Sequence, residues 1–320
     1  MIRILNAEPD NYNPEAKQIL TSMGELVQKH LSQAELEQWI SGFDVLIVRL
    51  GLEVNREVMD SGDRLRAIVT PTTGLDHIDV AYAQRRAISV LSLKGETDFL
   101  RSIPATAEHA WALLLALVRR IPQAFASVCQ GEWNRDAFKG HDLSGKRLGV
   151  VGLGRIGEKV ACYGIAFGMS VAAFSPHRHE WPRDLQHCAT LEDLLRGSDV
   201  LSLHLPLESE TRHMIGAREL ATLPPRAVLI NTSRGEILDE GALLKALRQG
   251  HLAGAALDVL EGERDGARRF HHPLLAYAAQ HSNLLITPHI GGATVESMAR
   301  TEIFMAQKLQ RWYQQRALKS

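Results

Sequence analysis

Residues 147–157 read RLGVVGLGRIG, and this stretch decides the fold. It begins with a short apolar run typical of a buried parallel strand, and Gly152 to Gly157 follow as a G-x-G-x-x-G that opens a helical pattern. The first glycine permits a sharp turn, the second lets backbone N–H groups approach a pyrophosphate, and the third lets the helix pack closely on the strand. Unpaired amides and the helix dipole favour an anion there. This context favours a dinucleotide site over a simple tight turn.

The composition limits the possible classes of protein. With 320 residues, 45% hydrophobic and 23% charged, the chain is typical of a soluble globular protein of two domains. A formal net charge of -1 argues against nucleic acid or a membrane surface as a partner. Cys129, Cys162 and Cys188 are too few and too scattered for a disulfide framework or a zinc site. We therefore expect no metal, and reduced, mostly buried thiols in a cytoplasmic protein.

Neither a targeting segment nor a membrane span is predicted. The N-terminus alternates apolar and polar residues like a first strand, without the long apolar run of a signal peptide. The most apolar helical stretch, residues 110–118, is too short to cross a bilayer.

Strands and helices alternate along the chain, which predicts an α/β protein with parallel sheets. Before the glycine motif, strands are predicted at 2–5, 45–48, 65–69 and 88–91, and helices at 14–27 and 79–86. From residue 147 a six-stranded sheet is predicted, with further strands at 170–174, 200–205, 227–230, 254–259 and 284–287, and with helices that include 191–196 and 240–249. The expected fold is two Rossmann-like or flavodoxin-like domains with doubly wound parallel sheets.

Two helices and a loop indicate the domain organisation. Residues 92–102 form a polar loop, and the helix predicted at 104–121 is apolar nearly all round, so we expect it between the domains or in a subunit interface. An amphipathic helix at 294–313 is long enough to return to the first domain. We predict a substrate-binding domain from residues 1–100 and 292–320, with a dinucleotide-binding domain, 101–291, inserted in it.

Three reactive side chains follow successive strands of the second predicted sheet. Arg234 lies in NTSRG, Glu263 follows LDVLEG, and His289 lies in TPHIGG. In a doubly wound fold, groups at the carboxyl ends of the strands line the cofactor cleft. Each residue alone has an ordinary explanation as a solvated or structural side chain, but together they indicate a catalytic site.

The chain resembles the D-isomer-specific 2-hydroxyacid dehydrogenase family over nearly its whole length, including relatives that are glyoxylate or hydroxypyruvate reductases and phosphoglycerate dehydrogenases. The resemblance is carried, in order, by Val48-Arg49, TGLDHID at 73–79, TAEH at 106–109, GEW at 131–133, the glycine motif, LHLPL at 203–207, NTSRG, LDV and TPHIGG.

The resemblance implies roles for the reactive residues. Arg234 would bind the substrate carboxylate and keto oxygen, His289 would donate and accept the proton, and Glu263 would pair with His289. These roles agree with the chemistry, because a carboxylate favours the protonated imidazolium and a guanidinium binds carboxylates through two hydrogen bonds. Further substrate contacts would come from the backbone at Leu50, Gly51 and Gly74.

Cofactor contacts are also implied, with Asp258 holding the nicotinamide carboxamide. Ser175 stands where NAD sites carry an acidic residue, and Arg178 follows, which favours the 2′-phosphate of NADP. NAD is the alternative if Arg178 faces solvent. The cofactor residues expected are Gly152, Gly154, Arg155, Ile156, Gly157, Ser175, His177, Arg178, His204, Pro206, Thr211, Thr106, Thr232, Asp258 and Gly291.

Two departures from the family pattern affect the site. Arg264 stands after Glu263 where proline is usual, and a basic run with His271 and His272 follows, which we expect at the surface rather than on a metal. Glu261 is the other acid that could take the role of Glu263. The loop at 94–102 is also longer than usual.

The sequence thus predicts a homodimeric NAD(P)-dependent reductase of small 2-keto acids. The alternative is a cofactor-sensing binding protein, because the family includes transcriptional corepressors. The absence of a disordered tail after residue 313 disfavours that alternative. Glu263 argues against a formate dehydrogenase, because the formate dehydrogenases of this family carry glutamine at that position.

Overall fold

The computed structural model describes residues 2–317. Residues 1 and 318–320, which fall in the predicted substrate-binding domain, lie outside the described part. The chain divides into two compact units, Met1–Ile103 with Ala293–Ser320, and Pro104–Gly292. The sequence placed these boundaries after residues 100 and 291.

The first unit is built on a five-stranded parallel sheet in the order β2-β1-β3-β4-β5. The strands are β1 (Ile2–Asn6), β2 (Gly24–Gln28), β3 (Val45–Ile47), β4 (Ala67–Val69) and β5 (Ser89–Leu91). The helices of residues 2–103 are α1 (Pro14–Met23), α2 (Gln33–Trp39), α3 (Arg56–Ser61), α4 (Val80–Arg85) and α5 (Thr97–Arg101). Successive residues of β1, Ile4 and Leu5, enter separate apolar cores on the two faces, as parallel sheets require.

Two predictions for this unit are wrong in detail. The helix predicted at 14–27 ends at Met23, and the following five residues form the edge strand β2. Gly24 permits this, since a Cβ there would lie 2.0 Å from the Ile2 carbonyl oxygen. The predicted polar loop at 92–102 contains α5, whose Leu100 is buried.

The second unit is built on a seven-stranded parallel sheet in the order β12-β11-β10-β9-β6-β7-β8. The strands are β6 (Arg147–Val151), β7 (Ser170–Phe174), β8 (Gln186–His187), β9 (Val200–Leu203), β10 (Val228–Asn231), β11 (Gly254–Leu257) and β12 (Leu284–Ile286). The helices are α6 (Ala105–Val118), α7 (Ile121–Cys129), α8 (Arg155–Ala166), α9 (Leu191–Leu195), α10 (Ala217–Thr222), α11 (Glu240–Arg248), α12 (Gly266–Phe270) and α13 (Pro273–Ala278). The doubly wound fold class is confirmed. The sheet has seven strands and not the six expected. The additional strand, β8, consists of two exposed polar residues, so no apolar periodicity in the sequence could have predicted it.

The apolar helix α6 is shorter than predicted and packs within the second unit. It ends at Val118, and Arg120 adopts a left-handed φ of 54° before α7 begins. Trp111 and Leu114 pack with Leu148 of β6 in one buried core, so its all-round apolar surface is explained by the sheet of its own unit.

The last helix, α14 (Val295–Ala317), belongs to the first unit. Its buried face, which includes Met305 and Leu309, packs with Leu20 of α1 and Leu93. Among residues 2–317 no single helix is long and apolar enough to cross a membrane, and only the pair Thr97–Val118 and Ile121–Cys129, bent by 62°, meets the length and composition together. Cys129 and Cys162 are exposed and only Cys188 is buried, so the expectation of mostly buried thiols is wrong.

Candidate active site

The glycine motif forms a tight turn between β6 and α8. Gly152 has a φ of 89°, and a Cβ on it would lie 2.4 Å from the His204 carbonyl oxygen. A Cβ on Gly157 would lie 2.1 Å from the Gly152 oxygen, so both positions require glycine. Gly154 differs, because it begins α8 without a side-chain cap and has nothing within 4 Å of where its Cβ would stand. The N-terminus of α8 therefore faces open space, as an anion site requires.

Two buried polar atoms near this turn have no hydrogen-bond partner among the described residues. They are Thr232 Oγ1, after β10, and His204 Nδ1, after β9. The other ring nitrogen of His204 lies 2.8 Å from Ser202 Oγ, and burial lowers the pKa of His204 to about 3, so the ring is neutral. Buried polar groups are rarely left unpaired. With the open turn at Gly154, these atoms fit a polar ligand such as a dinucleotide.

Arg178 lies against the glycine turn rather than facing solvent. Its Nη1 is 2.5 Å from the Leu153 carbonyl oxygen and 2.5 Å from Glu158 Oε1, and its side chain is only 23% exposed. Its Nε donates to the Glu180 carbonyl oxygen. Ser175 is half-buried directly after β7 and accepts the Arg178 N–H at its carbonyl, 3.1 Å away.

The other predicted cofactor residues occupy nearby turns of the second unit. Arg155 and Ile156 begin α8, and burial lowers the pKa of Arg155. His177 is exposed in the turn after β7. The Thr211 hydroxyl donates to the Pro206 carbonyl oxygen at 2.7 Å and thereby closes the loop after β9.

Asp258, at the end of β11, organises the segment that carries His289. Its carboxylate accepts the Thr287 hydroxyl at 2.6 Å and the backbone N–H groups of Ile290 and Gly291 at 2.9 and 2.7 Å. Burial alone would raise the pKa of Asp258, but the bond from His109 and these bonds together lower it.

His109, in the TAEH stretch, has a structural role that the sequence did not predict. Its Nε2 lies 3.0 Å from Thr287 Oγ1 and 3.2 Å from Asp258 Oδ1, which ties α6 to this segment. Thr106 lies one turn earlier on α6, and a Cβ on Gly291 would stand 3.4 Å from its methyl carbon. The TAEH and TPHIGG stretches therefore form one cluster in the second unit.

His289 and Glu263 form a hydrogen-bonded pair through His289 Nδ1 and Glu263 Oε1. The two side chains are 22% and 25% exposed, so the pair remains accessible. The His289 backbone has a left-handed φ of 56° and donates its N–H to the Asp258 carbonyl oxygen at 2.8 Å. Because this pair uses Nδ1, the Nε2 of His289 remains for a reacting group.

Arg234 follows β10, which is the neighbour in the sheet of β11, the strand that precedes Glu263. Asn231, fully buried at the end of β10, donates to the Arg234 carbonyl oxygen at 2.8 Å. Gly235 follows, and a Cβ on it would lie 2.1 Å from the carbonyl carbon of Leu260. The turn that carries Glu263 therefore rests on the residue after Arg234. Strands β10, β11 and β12 are parallel neighbours, so Arg234, Glu263 and His289 lie at one edge of the sheet.

The predicted substrate contacts Leu50, Gly51 and Gly74 lie in the first unit. The Gly51 N–H donates to the Glu8 carboxylate at 2.9 Å, so an internal carboxylate already occupies this donor. The Gly74 carbonyl oxygen accepts the Thr72 hydroxyl at 2.8 Å.

The sequence led us to expect His271 and His272 at the surface, and this is wrong for one of them. His271 is exposed, but His272 is buried and its Nε2 lies 2.9 Å from Glu240 Oε2. The pattern that could have revealed this is the proline after His272, because a proline at the first position of a helix makes the preceding residue the N-cap. Among the described residues there is no cluster of three or more side chains that could hold a metal.

The fold and the site together define the class of an α/β dinucleotide-binding protein with a histidine–carboxylate pair at its strand ends. The family model described as D-isomer specific 2-hydroxyacid dehydrogenase, NAD binding domain, matches residues 111–291. The chain belongs to the D-isomer specific 2-hydroxyacid dehydrogenase family.

Relatives and solved structures agree with this assignment. The chain is 37% identical to the hydroxypyruvate reductase of Thermotoga maritima, over 94% of this chain and 95% of that protein. It is 36% identical to the D-3-phosphoglycerate dehydrogenase of Methanocaldococcus jannaschii, over 97% of this chain but only 57% of the length of that protein. The D-lactate dehydrogenase of Aquifex aeolicus, solved with NAD and lactic acid, has a TM-score of 0.82 at 28% identity and covers 98% of this chain and 95% of its own.

Proposed function

We propose that this protein is an oxidoreductase that transfers hydride between a nicotinamide cofactor and a small 2-keto or D-2-hydroxy acid. The single observation that carries the proposal is the hydrogen-bonded pair of His289 and Glu263 beside the strand that carries Arg234. The relatives, which are named as reductases and dehydrogenases of such acids, support it.

His289 acts as the acid–base group in this proposal. Glu263 holds the imidazole through Nδ1 and favours its protonated form, so that Nε2 delivers a proton to the keto oxygen in reduction and takes one from the hydroxyl in oxidation. The strained backbone of His289, fixed by Asp258, sets the direction of the ring.

Arg234 binds the substrate in this proposal. A guanidinium places two N–H donors against a carboxylate, and it also polarises the adjacent keto oxygen toward the proton donor. The substrate contacts at Leu50, Gly51 and Gly74 stay predictions from the sequence, and the Gly51 N–H is already bound to the Glu8 carboxylate.

The bound nicotinamide would supply or accept the hydride. The residues that would hold the cofactor are those of the open turn at Gly154, together with Thr232 and His204, whose buried polar atoms lack partners among the described residues. The carboxylate of Asp258 is already used by four donors of its own unit, so it would accept a carboxamide N–H only after one of these donors gives way.

A panel of 2-keto acids, including glyoxylate and hydroxypyruvate, assayed with NADH and with NADPH tests the reaction. We expect turnover with at least one acid. Tight binding of the cofactor without turnover of any acid would contradict the proposal and favour a cofactor-sensing binding protein.

We further propose a preference for NADP over NAD. Arg178 supports this, because its guanidinium, which is paired with Glu158 through Nη1, lies at the glycine turn, where the adenosine ribose of a dinucleotide lies, and Ser175 offers no carboxylate. A charge-assisted bond to the 2′-phosphate is worth roughly 1.5–3 kcal/mol, or about ten- to a hundredfold in affinity.

The double variant Ser175→Asp with Arg178→Ala tests this preference. We expect the ratio of kcat/KM for NADPH to that for NADH to fall by about ten- to a hundredfold, since a phosphate contact is lost and a repelling charge is added. Arg183→Ala removes a cation from the same loop and is the control. A wild-type enzyme that already prefers NADH would overturn the proposal.

We also propose that the protein is a homodimer and that it is located in the cytoplasm. Helix α7 exposes the apolar side chains of Ile121, Phe125 and Val128 by 52%, 70% and 49%, and such an apolar patch is typical of a surface that another subunit covers. We expect Phe125→Glu to convert a dimer to a monomer in light scattering coupled to size-exclusion chromatography. A monomeric wild-type protein would contradict the proposal.

A further inference from the structure

Glu240 and His272 form a pair that the proposed reaction does not use. Glu240 is the first residue of α11, and His272 caps the N-terminus of α13. The side chains are only 14% and 10% exposed, and His272 Nε2 lies 2.9 Å from Glu240 Oε2. A histidine and a glutamate buried together need a reason beyond packing, because desolvation of both groups is unfavourable.

The hydrogen-bond partners of the pair leave room for one proton. His272 Nδ1 accepts the Leu274 N–H at 3.3 Å, so that nitrogen carries no proton and the ring proton lies on Nε2, facing Glu240. The other carboxylate oxygen, Glu240 Oε1, accepts the Glu261 N–H at 2.8 Å. A second proton on His272 Nδ1 would point at the Leu274 N–H, and one on Glu240 Oε1 would point at the Glu261 N–H. The pair is satisfied only as a neutral histidine that donates to an ionised glutamate.

This pair contacts the turn that carries Glu263. Glu261 precedes Glu263 by two residues, and its N–H is the group that Glu240 binds. Within the turn, the Glu263 carboxylate accepts the Leu260 N–H at 3.0 Å and also bonds to His289. On its other side the turn rests against Gly235, where a Cβ would lie 2.2 Å from the Glu261 nitrogen. Glu240 therefore fixes the backbone from which Glu263 extends.

We propose that Glu240 and His272 are positioning residues that hold Glu263 against His289 by fixing the turn at residues 260–263. His272 keeps Glu240 aimed at the turn, and Glu240 transmits the constraint through the Glu261 N–H. The proposal rests on the proposed function, in which the pair of Glu263 and His289 performs the proton transfer.

The charges around Glu240 make this arrangement sensitive to pH. Burial, and then the carboxylates of Glu261, Glu236 and Glu263, raise the pKa of Glu240 to about 7, although the Glu261 N–H opposes the shift. Burial lowers the pKa of His272, and Glu261 opposes that shift. Acidification therefore adds the second proton to Glu240 before His272, and weakens its bond to the turn.

Two substitutions separate positioning from simple stability. Glu240→Gln keeps the size of the side chain but presents an amide donor either to His272 or to the Glu261 N–H, so one bond is lost. His272→Asn keeps a good N-cap for α13 but removes the donor to Glu240. We expect kcat to fall roughly tenfold in the first and less in the second, because a displacement of about 1 Å can cost up to about a hundredfold. The KM for the cofactor should change little.

The matched control is Glu219→Gln. Glu219 lies in the first turn of α10 and accepts the Gly216 N–H at 3.1 Å, which is the same kind of contact away from the turn. This substitution should lower stability without changing kcat. Equal losses of kcat in Glu219→Gln and Glu240→Gln would indicate a general structural effect and overturn the proposal.

Coupling to Glu263 gives the decisive measurement. If Glu240 acts through Glu263, then Glu240→Gln should change kcat by less than about twofold when Glu263 is already Gln, since residues that act as a unit are not additive. Glu240→Gln alone should also move the upper pH limit of the reduction, in the same direction as Glu263→Gln does. Additive losses, or an unmoved pH limit, would overturn the proposal.

A readout without turnover separates this proposal from the proposed function. The proton on His289 Nδ1 can be observed by NMR, and its signal should move upfield in Glu263→Gln, where the acceptor is no longer charged, and by a smaller amount in Glu240→Gln. An inactive wild-type protein that shows these changes would contradict the proposed reaction and support the positioning. An active protein whose His289 Nδ1 proton signal is the same in Glu240→Gln would contradict the positioning alone.

Discussion

The two units share a parallel α/β architecture but differ in the turn after their first strand, β1 in the first unit and β6 in the second. In the first unit, Asn13 caps α1 by accepting the N–H groups of Glu15 and Ala16, and Glu8 accepts those of Arg49 and Gly51 after β3. In the second unit, the N-cap of α8 is Gly154, which has no side chain to cap the helix.

This difference shows how a ligand site arises on a common fold. A helix N-terminus has unpaired N–H groups in either unit, and a capping side chain satisfies them internally. Where glycine replaces the cap, the groups stay available to an anion. We therefore expect substitutions at the start of α8 to change cofactor affinity, and substitutions at the cap of α1 to change stability.

His289→Ala should give the largest effect and sharpen the comparison most. Loss of the positioned acid should lower kcat by roughly 10²–10⁴-fold, with little change in the thermal unfolding midpoint. Steady-state kinetics on the best keto acid measure this, with the exposed His271→Ala as the control. Turnover close to wild type would remove His289 from the mechanism.

Asp258→Asn should follow, with an effect on both activity and stability. The pKa of Asp258 is below its ordinary value of 3.8, so its charged form stabilises the fold above that pH and the stabilisation is lost as the pH falls through the lowered value. The unfolding midpoint of Asp258→Asn should therefore lie furthest below wild type at neutral pH, and approach it below pH about 4. A constant difference between pH 3 and pH 8 would contradict this reasoning.

Gly154→Ala should weaken the dinucleotide without disturbing the fold. Its Cβ meets no atom of the chain within 4 Å, but it would stand at the open end of α8. We expect the Kd for NADPH to rise about tenfold, roughly 1.4 kcal/mol, in a fluorescence titration. The control is Gly157→Ala, whose Cβ would lie 2.1 Å from the Gly152 oxygen and should destabilise the protein as well. Unchanged affinity in Gly154→Ala would break the comparison between the two helix ends.

Asn13→Ala should give the smallest effect, and only on stability. Loss of an N-cap lowers the free energy of unfolding by about 0.5–2 kcal/mol. Denaturant titration measures this change, and the Kd for NADPH should stay at the wild-type value. A weaker Kd in Asn13→Ala would mean that the two units are not separable in this way.

Much of the molecule could be read from local sequence. Apolar runs bounded by glycine mark the buried strands of a parallel sheet, and the spacing of the glycine motif fixes a strand, a turn and a helix. Because parallel strands end at one edge, the positions of Arg234, Glu263 and His289 in the chain were enough to place them on a common edge. The fold class and the family are confirmed for these reasons.

Tertiary contacts decided the rest. Gly24 to Gln28 carries no strong strand signal and becomes β2 by pairing with β1, and Arg178 reads as a loop cation until Leu153 and Glu158 are found beside it. His272 reads as part of a basic surface run, yet it is buried against Glu240, which lies 32 residues earlier in the chain. Sequence periodicity reports which face of an element is buried, whereas a hydrogen bond between distant residues depends on how the elements fold together, and no local pattern encodes it.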